Sequence, residues 1–326
     1  MSRRPGRGIT PRVLRTARPF VFLVLAGVLG CALFAGLGTA QNRSEWVHQR
    51  HFRVDAPWGS AHVLATWARR DDGREFPTDF RTPILVALHG RGEALRGPDR
   101  GYLGWNVDYR LPDAFGALRR GRLTARDYQG LARAEHLRAV NAGLRAQPFA
   151  GVLVITPFTP DLISEPAGSP RIAQLASWIV GPLLADVRQR FPASARTREG
   201  TGIDGVSLGA MLSLEIGLAH PEAFGAVGAI QPAIRGREAN LAARAAAARP
   251  RPAIALLSSD GDPLLGPTRD LSARLTAAGV AHTLTVVPGP HDYVFNRGPG
   301  GIEMLLFHDR ALAREPLDAR GSLPAR

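Results

Sequence analysis

The chain has 326 residues, of which 45% are hydrophobic and 21% are charged. This length and composition exclude a disordered, collagen-like or coiled-coil chain, and they suffice for one enzyme-sized domain with a full core. All 41 basic residues are arginines, and the net charge is +13. Because the arginines are scattered along the chain and form no single stripe, we expect no nucleic-acid partner.

We expect the first 40 residues to target the chain to a membrane, either as a signal peptide or as a membrane anchor. They contain six arginines and no acidic residue, and residues 20–37 are an apolar run of 18 residues. A bilayer-spanning helix needs ~20 residues, so residues 20–39 could anchor the chain, whereas Gly38 and Ala40 suit signal-peptide cleavage. A lipoprotein signal at Cys31 is a third interpretation. Since positive flanks stay cytoplasmic, each alternative places residue 41 onward outside the cytoplasm, secreted or periplasmic.

The single cysteine excludes an intramolecular disulfide and a thiol nucleophile in the domain that follows. Without the six leader arginines, 35 basic residues face 28 acidic ones, a net charge of +7. We expect residues 41–314 to form one domain without covalent cross-links, followed by a flexible tail over residues 315–326.

From residue 46 onward, short apolar runs alternate with amphipathic segments of helical length. This pattern is typical of an α/β protein with a mostly parallel sheet and helices on both faces. Strands are predicted, in chain order, over residues 46–54, 60–68, 84–88, 152–156, 203–206, 226–230, 253–257 and 283–287. Helices are predicted over residues 111–118, 124–144, 208–219, 238–248, 269–278 and 301–313. Residues 93–150 are an insertion between two strands and a candidate cap or lid.

Apolar positions also recur at helical spacing over residues 175–191, where Pro182 predicts a helix start or a kink. Trp178 in this segment belongs either to the core or to a substrate site.

Residues 205–209 read G-V-S-L-G, between a predicted strand and a predicted helix. A serine in such a turn is held in a strained conformation that exposes its hydroxyl, and side chains on Gly205 or Gly209 would crowd it. The pattern predicts that Ser207 is a nucleophile. The alternative is an ordinary serine at the N-terminus of a helix.

A nucleophilic serine needs a base and a carboxylate that orients the base. Strand 253–257 leads into Asp260 and Asp262, and strand 283–287 leads into His291, so the order is Ser, Asp, His. Asp262 is preferred because it lies farther beyond its strand and precedes Pro263, although either aspartate could cap the next helix. The spacing of Asp260 and Asp262 could also suggest a calcium loop. The other oxygen ligands of such a loop are missing from the sequence, so we predict no metal site.

The loop after strand 84–88 contains Gly90 and Gly92, which let the backbone approach a developing oxyanion. The expected donors are the amides of Arg91 and Leu208, with Gly92 as an alternative donor. The Arg91 side chain could also bind a substrate anion. Four residues are candidate substrate contacts: His89, Gly92, Trp105 and Trp178.

Four stretches together carry a resemblance to a known family: LVALHGRGE at 85–93, residues 202–234, SSDGDP at 258–263 and GPHDYVFN at 289–296. Through them the chain resembles the α/β-hydrolases, and among these the esterases of the esterase D and feruloyl esterase type, over residues 46–312. The resemblance implies an α/β-hydrolase fold without a cofactor. It also implies that Ser207 is the nucleophile, His291 the base and Asp262 the orienting carboxylate, with Arg91 and Leu208 forming the oxyanion hole.

The chain departs from this family at Ala210, where many members have a second glycine, and in the insertion 93–150. Aromatic residues of the insertion either line an acyl or sugar pocket or anchor the insertion to the domain: Tyr102, Trp105 and Tyr109.

The resemblance implies a serine hydrolase that cleaves a small-molecule or polymer-linked carboxylic ester through an acyl-enzyme, and the leader implies that it is exported. Peptidase or acyltransferase activity on the same three residues stays open, because the pocket selects the acyl acceptor. A third alternative is a non-catalytic, envelope-associated binding protein that keeps the fold. The oligomeric state is not predicted.

Overall fold

The computed structural model describes residues 45–317. The predicted leader over residues 1–40 and most of the predicted tail lie outside the described residues. Within residues 45–317, no helix has both the length and the apolar character needed to cross a membrane.

One sheet organises the described residues. Its strands are β1 (Val47–Ala56), β2 (Gly59–Ala68), β3 (Ile84–Leu88), β4 (Leu153–Pro157), β5 (Thr201–Gly205), β6 (Ala226–Ile230), β7 (Ala253–Ser259) and β8 (Thr283–Val287). They lie in the order β1-β2-β4-β3-β5-β6-β7-β8. The pairs β1/β2 and β2/β4 are antiparallel and all other neighbouring pairs are parallel, which confirms the prediction of a mostly parallel sheet.

Helices connect these strands and cover both faces of the sheet. They are α1 (Arg91–Ala94), α2 (Pro98–Gly101), α3 (Gly104–Val107), α4 (Leu111–Arg119), α5 (Ala134–Ala146), α6 (Pro170–Trp178), α7 (Leu184–Arg190), α8 (Leu208–Ala219), α9 (Glu238–Ala247), α10 (Leu265–Ala277), α11 (Tyr293–Phe295) and α12 (Gly301–Ala311). One apolar core packs α6 to α10 on one face, and a second packs α3, α4, α5 and α12 on the other. β3 to β6 are buried along their whole length by this double cover, which agrees with the mostly apolar sequences of β3, β4 and β6.

Two short π-helical segments interrupt the helices. Ile179–Leu183 joins α6 to α7 and contains Pro182, and Asn296–Gly300 joins α11 to α12 and contains Pro299. Proline has no N–H to donate, and the wider π turn accommodates the missing hydrogen bond. The predicted discontinuity at Pro182 is confirmed.

The predicted helix over residues 124–144 is wrong in its first ten residues, because α5 begins at Ala134. Residues 124–130 form turns instead, with the Asp127 carboxylate accepting from the Thr124 N–H at 2.8 Å. Gln129 and Gly130 then have φ values of 54° and 78°. Two left-handed residues in succession end any right-handed helix, so α5 needs a fresh start.

The predicted tail over residues 315–326 begins too early. The Glu315 carbonyl accepts from the Arg81 N–H at 2.7 Å, and the Leu317 N–H donates to Asp79 at 3.2 Å. The Glu315 carboxylate also accepts from the Thr197 N–H at 2.8 Å. Residues 315–317 are therefore bound to the domain.

Candidate active site

Ser207 lies in the turn between β5 and α8, with φ 56° and ψ −110°, a region that non-glycine residues rarely adopt. Its N–H donates to the Ile230 carbonyl at 2.9 Å, and its own carbonyl accepts from the Ala233 N–H at 3.1 Å. A Cβ atom on Gly209 would collide with the Leu88 carbonyl oxygen, and one on Gly205 would collide with the Gly209 backbone. The two glycines of the motif thus permit the close approach that the strained turn requires.

The structure brings Ser207, His291 and Asp262 together. His291 Nε2 lies 3.2 Å from Ser207 Oγ, and His291 Nδ1 lies 3.0 Å from Asp262 Oδ1. The buried Asp262 also accepts from the Ser258 hydroxyl at 2.7 Å and from the Leu264 N–H at 2.8 Å.

These contacts determine the charge of Asp262 and the tautomer of His291. Burial alone would raise the pKa of Asp262, but hydrogen bonds from His291, Ser258 and Leu264 outweigh it and lower the pKa below its usual value. Asp262 is therefore a carboxylate at neutral pH, and it selects the His291 tautomer with the proton on Nδ1. Nε2 is left free to accept the Ser207 proton.

Asp260 has different surroundings. Its Oδ1 accepts from the Gly289 N–H at 3.2 Å, and Oδ2 lies 3.6 Å from Arg133 in an exposed ion pair. Asp260 thus stabilises the turn that precedes His291, whereas Asp262 contacts the imidazole itself.

The expected oxyanion donors each begin a helix, Arg91 in α1 and Leu208 in α8. The N–H of a first helical residue has no acceptor within its own helix, so both amides are available to a ligand. The Val206 N–H donates to the Leu88 carbonyl at 3.2 Å, which holds the start of the serine turn beside the end of β3.

His89 is buried, and backbone groups engage both of its ring nitrogens. Nε2 accepts from the Thr159 N–H at 3.0 Å, so Nδ1 carries the proton and donates to the Gly90 carbonyl at 2.9 Å. Burial, assisted by the charge of Arg96, lowers the pKa of His89 to about 4, and its ring is neutral. His89 therefore supports the peptide that joins Gly90 to Arg91, and we no longer regard it as a substrate contact.

The other candidate substrate contacts have separate surroundings. A Cβ atom on Gly92 would lie 3.1 Å from the Tyr293 hydroxyl. Trp105 is fully buried with its ring edge-on to Tyr109, at 5.0 Å between ring centroids. Trp178 is also buried and donates from Nε1 to the Asp55 carbonyl at 2.8 Å. Both tryptophans pack into the core, which favours the anchoring interpretation for Trp105 and the core interpretation for Trp178.

Gln231, which follows β6 directly, is a residue of the site that the sequence analysis does not include. It is buried, has φ 47°, and its side-chain amide donates to the Ser259 hydroxyl at 2.8 Å and the Pro290 carbonyl at 2.9 Å. Gln231 therefore ties the loop of Asp262 to the loop of His291. A polar residue at the carboxyl end of a buried strand is the signal that could have identified it.

Glu93 was missed as well. This buried carboxylate of α1 accepts from the hydroxyls of Tyr109 and Tyr293. Among the described residues, no cluster of three or more His, Cys, Asp or Glu side chains could hold a metal ion.

No family model and no curated protein sequence matches the chain. Solved structures do match it. A ferulic acid esterase has a TM-score of 0.57 and 15% identity, covering 82% of this chain and 98% of its own. The fluorophosphonate-binding serine hydrolase F of Staphylococcus aureus has a TM-score of 0.54 and 13% identity, with coverages of 81% and 99%.

A ferulic acid esterase of Anaeromyces mucronatus, solved with ferulic acid, has a TM-score of 0.52 and 15% identity, covering 82% of this chain and 91% of its own. At such identities the likeness shows the fold. The chain therefore has the α/β-hydrolase fold, as its sequence predicts, and it resembles esterases and serine hydrolases of that fold in structure.

Proposed function

We propose that the protein is an exported serine hydrolase that cleaves carboxylic esters through an acyl-enzyme intermediate. The observation that carries this proposal is the continuous hydrogen-bonded series from Ser207 through His291 to Asp262, with distances of 3.2 and 3.0 Å. The strained backbone of Ser207 supports it, because such strain persists where the surrounding structure maintains it for function.

In the proposed reaction, Ser207 Oγ attacks the ester carbonyl carbon while its proton passes to His291 Nε2. The carbonyl oxygen becomes an oxyanion that accepts hydrogen bonds from the amides of Arg91 and Leu208. His291 then protonates the leaving alcohol as the carbon–oxygen bond breaks. Water, deprotonated by His291, releases the acid from the acylated serine, and Asp262 keeps the imidazole oriented throughout.

The proposed substrate is a small-molecule or polymer-linked ester. Structural likeness to two ferulic acid esterases supports an ester as the substrate class. The exposed guanidinium of Arg91 lies on the residue whose amide is the proposed oxyanion donor, and Asp161 accepts from it at 2.9 Å. The Arg91 side chain could bind an anionic group of the substrate if that group replaced Asp161 as its partner.

The proposal is tested by intact-mass analysis of the protein after incubation with a fluorophosphonate, which reacts with activated serines. We expect one adduct, on Ser207, and none in the Ser207→Ala variant. In the same variant kcat for an aryl ester should fall by about four to six orders of magnitude, and adding Asp262→Ala should cost little more, because the residues act as a unit.

Circular dichroism and the melting temperature of Ser207→Ala control for folding. If the folded wild-type protein formed no adduct and hydrolysed no ester, the proposed function would be wrong, and a binding protein with a hydrolase fold would replace it.

A further inference from the structure

The side chain of Glu93 is 2% exposed and accepts hydrogen bonds from residues of two distant segments. The hydroxyl of Tyr109, between α3 and α4, donates to Oε2, and the hydroxyl of Tyr293, at the start of α11, donates to Oε1 at 2.8 Å. Arg96 lies 3.5 Å from Oε1 and forms a second ion pair with Asp108 at 2.7 Å. Both oxygens of one buried carboxylate are thus used to join separate parts of the chain.

One end of this network fixes the peptide that precedes the proposed oxyanion donor. The Tyr109 hydroxyl accepts from the Gly90 N–H at 3.0 Å while it donates to Glu93. On the other side, the Gly90 carbonyl accepts from His89 Nδ1 at 2.9 Å. Both polar groups of Gly90 are held, so the orientation of the Arg91 amide depends on Tyr109 and, through it, on Glu93.

The other end reaches the histidine. Tyr293 lies two residues after His291, and its hydroxyl lies close to Gly92 as well as Glu93. The loops of Arg91 and His291 leave from β3 and β8, which are four positions apart in the sheet, or roughly 19 Å at the usual strand spacing. The contact between Tyr293 and Glu93 spans this separation.

The hydroxyls of Tyr109 and Tyr293 can both remain hydrogen-bond donors to Glu93. Burial and the neighbouring Glu93 carboxylate raise the pKa of Tyr109 well above its usual value, and the same two causes raise the pKa of Tyr293. Each hydroxyl therefore keeps its proton at neutral and mildly alkaline pH.

We propose that Glu93 is a positioning residue that couples the oxyanion amide of Arg91 to the general base His291, through Tyr109 and Tyr293. This inference rests on the proposed function, since it assigns Glu93 a role in the same reaction. Glu93 touches neither substrate nor reacting atoms, and its effect is to hold two groups in register with Ser207.

The test compares Glu93→Gln and Tyr293→Phe with a matched control, Tyr128→Phe. The amide of Glu93→Gln has a single oxygen, so one of the two tyrosines loses its acceptor. Tyr293→Phe removes the hydroxyl that joins the histidine loop to Glu93 and to Arg96, and it leaves Tyr109 unchanged. The Tyr128 hydroxyl donates to the Glu303 carboxylate at 2.5 Å, so the control removes the same type of bond at another place in the chain.

The readouts are kcat and KM for 4-nitrophenyl acetate, the inhibition constant of an aryl trifluoromethyl ketone, and the melting temperature. In the ketone adduct, Ser207 Oγ bonds to the carbonyl carbon, its proton moves to His291, and the carbonyl oxygen becomes an oxyanion. We expect kcat to fall about 10- to 100-fold in both test variants, with KM within about twofold and ketone affinity falling in parallel. The control should keep wild-type kinetics.

Wild-type kcat and ketone affinity in Glu93→Gln and Tyr293→Phe would overturn the inference, as would equal losses in Tyr128→Phe. In either case, the proposed function would still stand if the wild-type protein formed the fluorophosphonate adduct at Ser207 and hydrolysed esters. Failure of the wild-type protein itself to label or hydrolyse would instead refute the proposed function.

Discussion

Asp260 and Asp262 are separated by only one glycine, yet their surroundings suit them to different roles. Asp262 is buried and receives three hydrogen bonds that keep it ionised beside His291. Asp260 is half-exposed and contacts Arg133 and the Gly289 amide. Only Asp262 combines a negative charge with contact to the imidazole, so we propose Asp262 for the orienting role.

Comparing Asp262→Asn with Asp260→Asn tests this assignment. We expect Asp262→Asn to lower kcat by about four orders of magnitude, because an amide at this position favours the wrong His291 tautomer. Asp260→Asn should change kcat by less than about tenfold, since it weakens only an exposed ion pair and a turn. Steady-state kinetics on an aryl ester measure both, and a large loss confined to Asp260→Asn would contradict the assignment.

Position along the chain carried the signal for three of the candidate site residues. Ser207, Asp262 and His291 each follow a strand of a parallel sheet, so the ends of their strands meet at one edge. Glu93 and Tyr293 meet across a separation of 200 residues, although each lies in a different one of the stretches that carry the family resemblance. Only the folded structure could reveal their contact.

At the scale of elements, the insertion 93–150 is joined to α12 by a small polar cluster. Glu303 of α12 accepts from His136 of α5 at 2.6 Å and from the Tyr128 hydroxyl at 2.5 Å. The hydrogen bond to Glu303 raises the pKa of His136 above its usual value despite partial burial. When its imidazole is protonated, His136 forms an ion pair with Glu303 that stabilises the packing of α5 on α12.

This pairing predicts a pH dependence of stability. A raised histidine pKa in the folded state contributes stability that is complete below the unfolded pKa of about 6.5 and is lost as the pH rises through the folded value. The free energy of unfolding of the wild-type protein should therefore fall more between pH 6 and pH 9 than that of His136→Gln. Urea denaturation at both pH values measures the difference.

The matched control is His220→Gln, which removes a contact between His220 and the exposed Glu222, two residues away. Its pH dependence should follow the wild type. Identical pH dependence in His136→Gln and the wild type would show that the pairing contributes no stability.

For the protein as a whole, we propose that residues 1–40 are a leader that directs a hydrolase domain to the membrane. The sequence of residues 1–40, with six arginines before an apolar run, supports export. We expect the full-length protein, expressed in a bacterial host, to be recovered outside the cytoplasm. N-terminal sequencing distinguishes the alternatives, because cleavage gives a new N-terminus near residue 41 and an anchor keeps residues 20–39 in the membrane fraction.

A protein that stays in the cytoplasm with its first residues intact would contradict export. The control is the same chain without residues 1–40, which should remain in the cytoplasm of the same host.

The features of this protein that depend on local sequence pattern could be predicted without the structure. The period of its apolar residues predicted the strands, their parallel pairing and helices on both faces, and glycines around Ser207 marked the strained turn. The start of α5 was predicted wrongly, because the left-handed backbone at Gln129 interrupts a segment whose apolar periodicity favoured a longer helix. The burial of Trp105 and the contacts of Gln231 and Glu93 were decided by the tertiary structure alone, because side chains far apart in the chain meet only after the sheet has formed.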